Sequence, residues 1–118
     1  MWLCLNRAFL SVVEPQPGSP CLLVRARRRG DIEAVFGENY QVEERPERDY
    51  LFRALIPRQV VAEVIAAEVG TIDYPNFKGS VSAPKLHDAY AAVWRIMVRL
   101  QPTPPYSGRS AARQKGLL

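Results

Sequence analysis

The residue types that could support catalysis are most concentrated between Asp73 and His87. Asp73–Lys78 reads DYPNFK, which brings a carboxylate, a phenol, an amide and an amine together, and the only histidine follows at His87. A catalytic histidine needs a carboxylate that orients it, and Asp88, its neighbour on a helix, points about 100° away. Asp73 could approach His87 through the fold. Asp73, Lys78 and His87 therefore define one hypothesis, a small hydrolase-like or nuclease-like enzyme.

The same segment has the properties of a binding epitope. Pro75 fixes its own φ and holds the residue before it extended, so the turn is stiff. A stiff turn beside a helix could present several polar side chains to a partner. The candidate binding residues are Tyr74, Asn76, Lys78 and His87. If His87 has a functional role, a binding contact is favoured over acid–base work.

A structural interpretation accounts for the same residues without any site. Asp73 and Asn76 are common turn residues that bond local backbone amides. Tyr74 and Phe77 would then fill the gap between two helices, and His87 would be half-buried and bonded to a carbonyl. The sequence favours this interpretation for the turn and for the histidine, and so by itself it assigns no catalytic residue.

The densest basic run is Arg25–Arg29, which reads RARRR. Its alternate residues share one face of a strand, and a later strand could add a fourth arginine. The candidate nucleic-acid residues are Arg25, Arg27, Arg29 and Arg53. Phosphate contacts would make such binding strongly salt-sensitive, but no aromatic residues for base stacking are interleaved with the run. The favoured interpretation is a solvated face that pairs with the acidic stretch Glu43–Asp49.

Signatures of common enzymes and metal sites are missing from the sequence. There is no G-x-S-x-G elbow, no Gly-rich phosphate loop, no H-E-x-x-H and no C-x-x-C. Two cysteines, Cys4 and Cys21, and one histidine are too few for a closed zinc site. We expect no metal, no cofactor and two reduced thiols, with a disulfide between neighbouring strands as the minority alternative.

Hydrophobic periodicity predicts the elements that would position these residues. Strands are predicted at Trp2–Asn6, Phe9–Glu14, Cys21–Arg28 and Tyr50–Ile56, with a weak edge strand near Tyr40–Glu43. Helices are predicted at Asp31–Phe36 with Asp31 as cap and at Pro57–Val69. A third helix is predicted with Ser82 as cap, Pro84 in the first turn and an apolar stripe that runs from Leu86 to Leu100. This order predicts an α+β fold, an antiparallel sheet of about four strands with two amphipathic helices packed on one face. The other face would be partly open and would display arginines.

Length, charge and hydropathy indicate the organisation of the chain. The 118 residues, 47% of them hydrophobic, suffice for one domain with a modest core. We expect a single compact α+β domain over 1–101 and a disordered basic tail over 102–118, which supplies most of the net charge of +4. No apolar run reaches the roughly 20 residues that span a membrane, and no signal peptide is apparent. A cytoplasmic protein without membrane association is therefore expected.

Two motifs carry a resemblance to a known family. Ile72–Lys78 reads IDYPNFK, and His87, Ala89, Tyr90, Val93 and Trp94 form H-x-A-Y-x-x-V-W. Together with FLSVV, LLVRAR followed by GDIE, and DYLFRALIPR, these motifs resemble a family of small proteins from bacteria and some bacteriophages. The similarity runs from Trp2 to Leu100. The family has no assigned activity, so the resemblance implies one compact domain and says little about function.

These observations favour a small non-enzymatic protein-interaction or regulatory module that a mobile element or phage could encode. A protein partner is therefore expected. The first alternative is a nucleic-acid-associated protein that uses the strand arginines and the tail. The second alternative is the small hydrolase-like or nuclease-like enzyme described above.

Overall fold

The computed structural model describes residues 1–103 and 105. The chain forms two compact units, Met1–Asp73 and a second unit that begins at Tyr74. The first unit holds a sheet and two helices, and the second holds one long helix with short turns on either side of it.

The strands of the first unit are β1 (Trp2–Cys4), β2 (Phe9–Val13), β3 (Cys21–Ala26), β4 (Glu43–Glu44) and β5 (Phe52–Pro57). They form one antiparallel sheet in the order β1-β2-β3-β5-β4. In the pairing of β3 with β5, Val24 lies opposite Ala54 and Arg25 lies opposite Arg53. Because residues two apart on a strand share a face, this register assigns a defined set of side chains to each face.

One face of the sheet carries the core of the first unit. Its buried side chains are Leu10, Val12, Val24, Ala26, Phe52, Ala54 and Ile56. Two helices contribute to the same core, α1 (Asp31–Phe36) through Ile32 and Phe36, and α2 (Arg58–Gly70) through Val61. Full burial of such an aliphatic or aromatic side chain stabilises a fold by about 1.5–3 kcal/mol. The alternation of apolar residues along β2, β3 and β5 therefore determines which face the helices cover.

Asp31 does not cap α1, which corrects the prediction from the sequence. The N-cap is Gly30, whose φ of 91° lies in the left-handed region that glycine adopts without strain. The Asp31 carboxylate is buried, accepts the backbone N–H of Phe9 at 3.1 Å and pairs with the guanidinium of Arg28 at 2.9 Å. A carboxylate tolerates burial only when it is bonded in this way, so Asp31 connects the start of β2 with the residues that follow β3.

The second unit contains a 3₁₀ turn at Lys78–Ser80, the helix α3 (Pro84–Met97) and a 3₁₀ turn at Val98–Leu100. Pro84 occupies the first turn of α3, as predicted, but the N-cap is Ala83 and not Ser82. The prediction of Ser82 fails because proline at the first helical position forces the residue before it into an extended conformation. Ala83 has the expected φ of −71° and ψ of 118° and offers no capping side chain.

The α+β class and the antiparallel sheet are confirmed, with five strands where the sequence predicts about four. The additional strand is β4, which the sequence places near Tyr40–Glu43 and the structure places at Glu43–Glu44. The strong strand predicted at Tyr50–Ile56 is observed at Phe52–Pro57. The predicted bounds of α1 agree with the structure, and those of α2 differ by one residue at each end.

Two expectations about the organisation of the chain stay predictions, namely the packing of α3 on the sheet and the single domain over 1–101. The predicted tail falls, apart from residues 102, 103 and 105, outside the described residues. Cys4 is a free cysteine at an exposed position, and Cys21 is a free cysteine that is half-buried. Among the helices of the described residues, none has the length and hydrophobicity needed to cross a lipid bilayer.

Replacing Asp31 tests its role as a buried connection. We expect Asp31→Ala to lower the free energy of unfolding by about 2–3 kcal/mol, because the N–H of Phe9 and the guanidinium of Arg28 both lose their acceptor. Asp31→Asn should cost less, since an amide oxygen can still accept one of these bonds. Urea denaturation measures the difference, with the exposed Glu38→Ala as control. Equal effects of the alanine changes at Asp31 and Glu38 would contradict this role.

A second connection joins the link between β1 and β2 to α2. Arg7 donates two hydrogen bonds from its guanidinium to the carboxylate of Glu68. These hydrogen bonds from Arg7 hold the pKa of Glu68 below its usual range, against an opposing effect of partial burial. A carboxylate with a lowered pKa in the folded state stabilises the protein above its unfolded-state pKa. That stabilisation is lost as the pH falls through the folded-state pKa.

Glu68→Gln is therefore expected to destabilise the protein by up to about 1 kcal/mol at pH 7, because the pair is near the surface. The difference from the unmodified protein should begin to shrink as the pH falls below about 4.3, the usual pKa of glutamate, and should vanish below the lowered folded-state pKa. Denaturation midpoints measured from pH 7 to pH 3 report this change. Glu47→Gln, at an exposed position, serves as the control. A difference that stays constant with pH would exclude the Arg7–Glu68 pair as its cause.

Candidate functional site

Asn76 stabilises the turn that contains the predicted binding residues. Its side-chain oxygen accepts the backbone N–H of Gly79 at 3.2 Å. The rings of Tyr74 and Phe77 lie 5.8 Å apart, and Phe77 also contacts Tyr90 of α3 at 5.2 Å between ring centroids. The contact of Asn76 is the local backbone bond that the structural interpretation of this turn predicts.

The side chains of Lys78 and His87 each contact one side chain of α3, the helix to which His87 itself belongs. The ammonium of Lys78 lies 4.3 Å from the centroid of the Trp94 ring, which is a cation–π contact. The Nδ1 atom of His87 lies 3.7 Å from Oδ1 of Asp88, a separation that permits an ion pair when the imidazole is protonated but exceeds a hydrogen bond. Asp88 is thus nearer than the sequence suggests. A contact of this length does not orient the imidazole for proton transfer.

The predicted catalytic residues lie in two different units. Asp73 is the last residue of the first unit, whereas Lys78 and His87 belong to the second. Within the described part of the second unit, no hydrogen bond or ion pair joins Lys78 to His87. The grouping of Asp73 with these two residues stays a prediction. Among the described residues, no three His, Cys, Asp or Glu side chains are placed to hold a metal ion.

The apolar stripe of α3 is covered at one end and uncovered at the other. Leu86 and Tyr90, near the start of the helix, are only 5% and 6% exposed. Five large apolar residues further along are exposed, the last of them in the 3₁₀ turn that follows the helix, and we call them the α3 patch: Val93, Trp94, Ile96, Met97 and Leu100. The exposed fraction rises to 55% for Met97 and to 77% for Leu100. A helix packed along its apolar stripe, as the sequence predicts for this segment, would bury Trp94 and Met97, but the structure leaves both of them exposed.

Three of the four predicted nucleic-acid arginines are already engaged. Arg25 donates to the hydroxyl of Ser11 at 2.8 Å, and Arg27 donates to the backbone oxygen of Asp49 at 2.8 Å. Arg29 pairs with Glu44 at 2.9 Å. The acidic stretch therefore supplies partners for two of these arginines, although at Asp49 the acceptor is the backbone.

Two aromatic rings lie under the same arginines. The guanidinium carbons of Arg25 and Arg27 lie 4.5 and 4.3 Å from the centroid of the Tyr50 ring. Arg29 lies 5.0 Å from the centroid of the Phe52 ring. The sequence does not reveal these contacts, because both rings are far from the basic run along the chain. A phosphate group that bound these arginines would have to compete with contacts that the fold already provides.

Arg53 differs from the other three arginines. A row of residues crosses the whole sheet on the face opposite the core: Trp2, Ser11, Arg25, Arg53 and Glu43. Arg53 stands in this row between Arg25, a like charge that bonds Ser11, and Glu43, whose carboxylate pairs with Arg45. The Nε atoms of Arg25 and Arg53 are buried without a hydrogen-bond partner among the described residues. The other guanidinium nitrogens of Arg53 make no hydrogen bond to these residues either.

Arg53 lies in a cleft of about 490 Å³ in the first unit. The cleft, which we call the Arg53 cleft, is lined by Pro15, Leu23, Gln41, Glu43, Arg45, Arg48, Arg53, Ala54 and Leu55. The sequence predicts only Arg53 as a site residue here and treats the stretch around Arg45 as a source of negative charge. The missing information is the strand register, which places Leu23 opposite Leu55 beside the arginine pair.

Comparison with known proteins adds no relative. No family model, curated protein or solved structure matches the chain. The resemblance carried by IDYPNFK and H-x-A-Y-x-x-V-W therefore stays a prediction.

The bond from Gly79 to Asn76 provides a test of the structural interpretation of the turn. We expect Asn76→Ala to cost about 1 kcal/mol and to speed amide exchange at Gly79, because that N–H loses its acceptor. Asn76→Asp should be close to neutral, since a carboxylate oxygen accepts the same bond. Hydrogen exchange followed by NMR gives the local effect. Unchanged exchange at Gly79 in the alanine variant would rule the bond out as a stabilising contact.

Proposed function

We propose that this protein acts as a protein-interaction module that binds an amphipathic helix of its partner through the α3 patch. The single observation that supports this proposal is the change in exposure along one apolar stripe. Leu86, Tyr90, Val93, Met97 and Leu100 follow one another at steps of four, three, four and three residues. This spacing is the helical repeat by which one helix packs along another. Its first two members are buried, and the last three are not.

The rim of the α3 patch carries positive charge on both sides. Lys78 lies over the ring of Trp94 on one side. Arg99 follows Ile96 by three residues, and residues at that spacing lie side by side on a helix. Arg99 is exposed and has no ion-pair partner within the described residues. Complementary charge steers association and selects partners, so the partner helix should carry acidic residues beside its apolar face.

A second copy of the same chain fits this surface poorly. Pro84–Leu100 contains three basic residues and one acidic residue. Two such helices packed along their apolar stripes would bring like charges together at the rim. This charge argument favours a different protein, and it also assigns a role to Lys78, one of the binding residues predicted from the sequence.

Selection from a displayed library of random peptides against the full chain tests the proposal. Enriched peptides should have apolar residues at steps of three and four, with Asp or Glu beside them. The double variant Val93→Ser/Met97→Ser should weaken their binding by at least about tenfold, because each truncated side chain contributes apolar area worth on the order of 1.5 kcal/mol. The matched control is Val69→Ser/Ile72→Ser, which removes two exposed apolar side chains of the first unit.

A charge reversal makes the test sharper. Lys78→Glu/Arg99→Glu should reject the acidic peptides and, in a fresh selection, enrich peptides with basic rims. Equal binding of the selected peptides to the Val93→Ser/Met97→Ser variant and to the unmodified chain would refute the proposal. Sedimentation that shows a dimer which the patch variant abolishes would also refute it, since the patch would then serve self-association.

A further inference from the structure

The Arg53 cleft combines an unpaired cation with an apolar surface. In the row that crosses the sheet, the hydroxyl of Ser11 accepts a hydrogen bond from Arg25. The carboxylate of Glu43 forms an ion pair with Arg45, which lies outside the row. The side chain of Arg53 therefore has no ion-pair partner within the described residues, although its Nε is buried and Glu43 is paired opposite it on β4. A buried donor without an acceptor is costly, and a like charge directly opposite on the next strand adds to the cost. An anionic group at this position would relieve both.

The neighbouring row on the same face is apolar. It contains Val13, Leu23 and Leu55, in direct register across β2, β3 and β5. Leu55 is 58% exposed, which is unusual for a leucine near the centre of a sheet. Residues two apart on a strand are separated by about 7 Å. A single small molecule can therefore contact both the row of Arg53 and the row of Leu55.

Further cations stand at the wall of the cleft. Arg45 and Arg48 line it together with Arg53, and among its described lining residues Glu43 alone is acidic. Arg45 is engaged with Glu43, whereas the side chain of Arg48 has no ion pair among the described residues. Guanidinium groups bind carboxylates and phosphates through two parallel hydrogen bonds. The volume of about 490 Å³ lies within the range typical of small-molecule sites.

We propose that the Arg53 cleft binds a small organic acid. A carboxylate or phosphate group of the ligand accepts hydrogen bonds from Arg53, and its aromatic or aliphatic body lies on Leu23 and Leu55. The two rows are about 7 Å apart along the strands, so a ligand the size of a phenyl ring with an acid group can contact both. This site lies in the first unit, and its existence does not depend on the α3 patch.

NMR titration of the full chain with phenyl phosphate and with phenylacetate tests the proposal and distinguishes the two acids. Saturable shifts at the amides of Leu23, Arg53 and Leu55 are expected for at least one of them. Inorganic phosphate, which has the charge without the body, and benzyl alcohol, which has a body without charge, should each bind at least about tenfold more weakly, because each makes only half of the contacts. Comparable binding of inorganic phosphate and phenyl phosphate would overturn the proposal.

Single substitutions test separately the part of the site that binds the acid group and the part that binds the ligand body. Arg53→Gln should weaken acid binding by about tenfold to a hundredfold, because a charged hydrogen bond is lost. Lys85→Gln removes the same charge from an exposed position in the second unit and should leave the affinity unchanged. Leu55→Ser should weaken phenyl phosphate several-fold without affecting inorganic phosphate.

Arg53→Lys keeps the charge but removes the planar fork, which distinguishes a binding role from a general field effect. It should bind the acid more weakly than the unmodified chain and more tightly than Arg53→Gln. It also serves as the deciding variant if Arg53→Gln does not fold. Full affinity in Arg53→Lys, or failure of both acids to bind at millimolar concentration, would overturn the assignment.

Discussion

The pairing of β3 with β5 is the constraint on which the first unit depends. In this pairing Val24 and Ala54, and Ala26 and Phe52, meet on the core face. A shift of one residue would exchange the two faces, bury the arginines and expose the core. The same register that forms the core thus sets two arginines side by side on the opposite face. Core and cleft are consequences of one hydrogen-bonded ladder.

Much of this ladder could be predicted from the sequence, because Cys21–Arg28 alternates and Tyr50–Ile56 is rich in β-forming residues with one charge. The arginine-bearing face follows from that alternation, and the helix at Asp31–Phe36 follows from its own helical spacing of apolar residues. Which strands pair, and with what offset, does not follow, because pairing depends on contacts between distant residues. The partners of the arginines were therefore only partly predictable. Glu44 belongs to an acidic stretch that charge alone singles out, whereas Tyr50 under Arg25 and Arg27 depends on the register.

The candidate site residues also differ in whether their contacts are local in the chain or depend on the packed fold. For Asn76, local turn chemistry was sufficient, and its bond to Gly79 lies within three residues. For Asp31, the sequence offered a familiar cap, but the carboxylate instead serves Phe9 and Arg28, one of which lies far away in the chain. Periodicity found the apolar stripe of α3 correctly. It could not show where along the helix the covering residues stop, because exposure is a property of the packed unit.

The sheet edge formed by β4 affects whether a strand of another protein can add to this sheet. Exposed sheet edges invite foreign strands, and proteins protect them with short strands and charge. β4 has only two residues, both of them glutamates, and both are exposed. An incoming strand would find few free backbone groups on that side and would have to approach two negative charges. Addition of a foreign strand at this edge is thus disfavoured, so contacts with other proteins are directed away from β4.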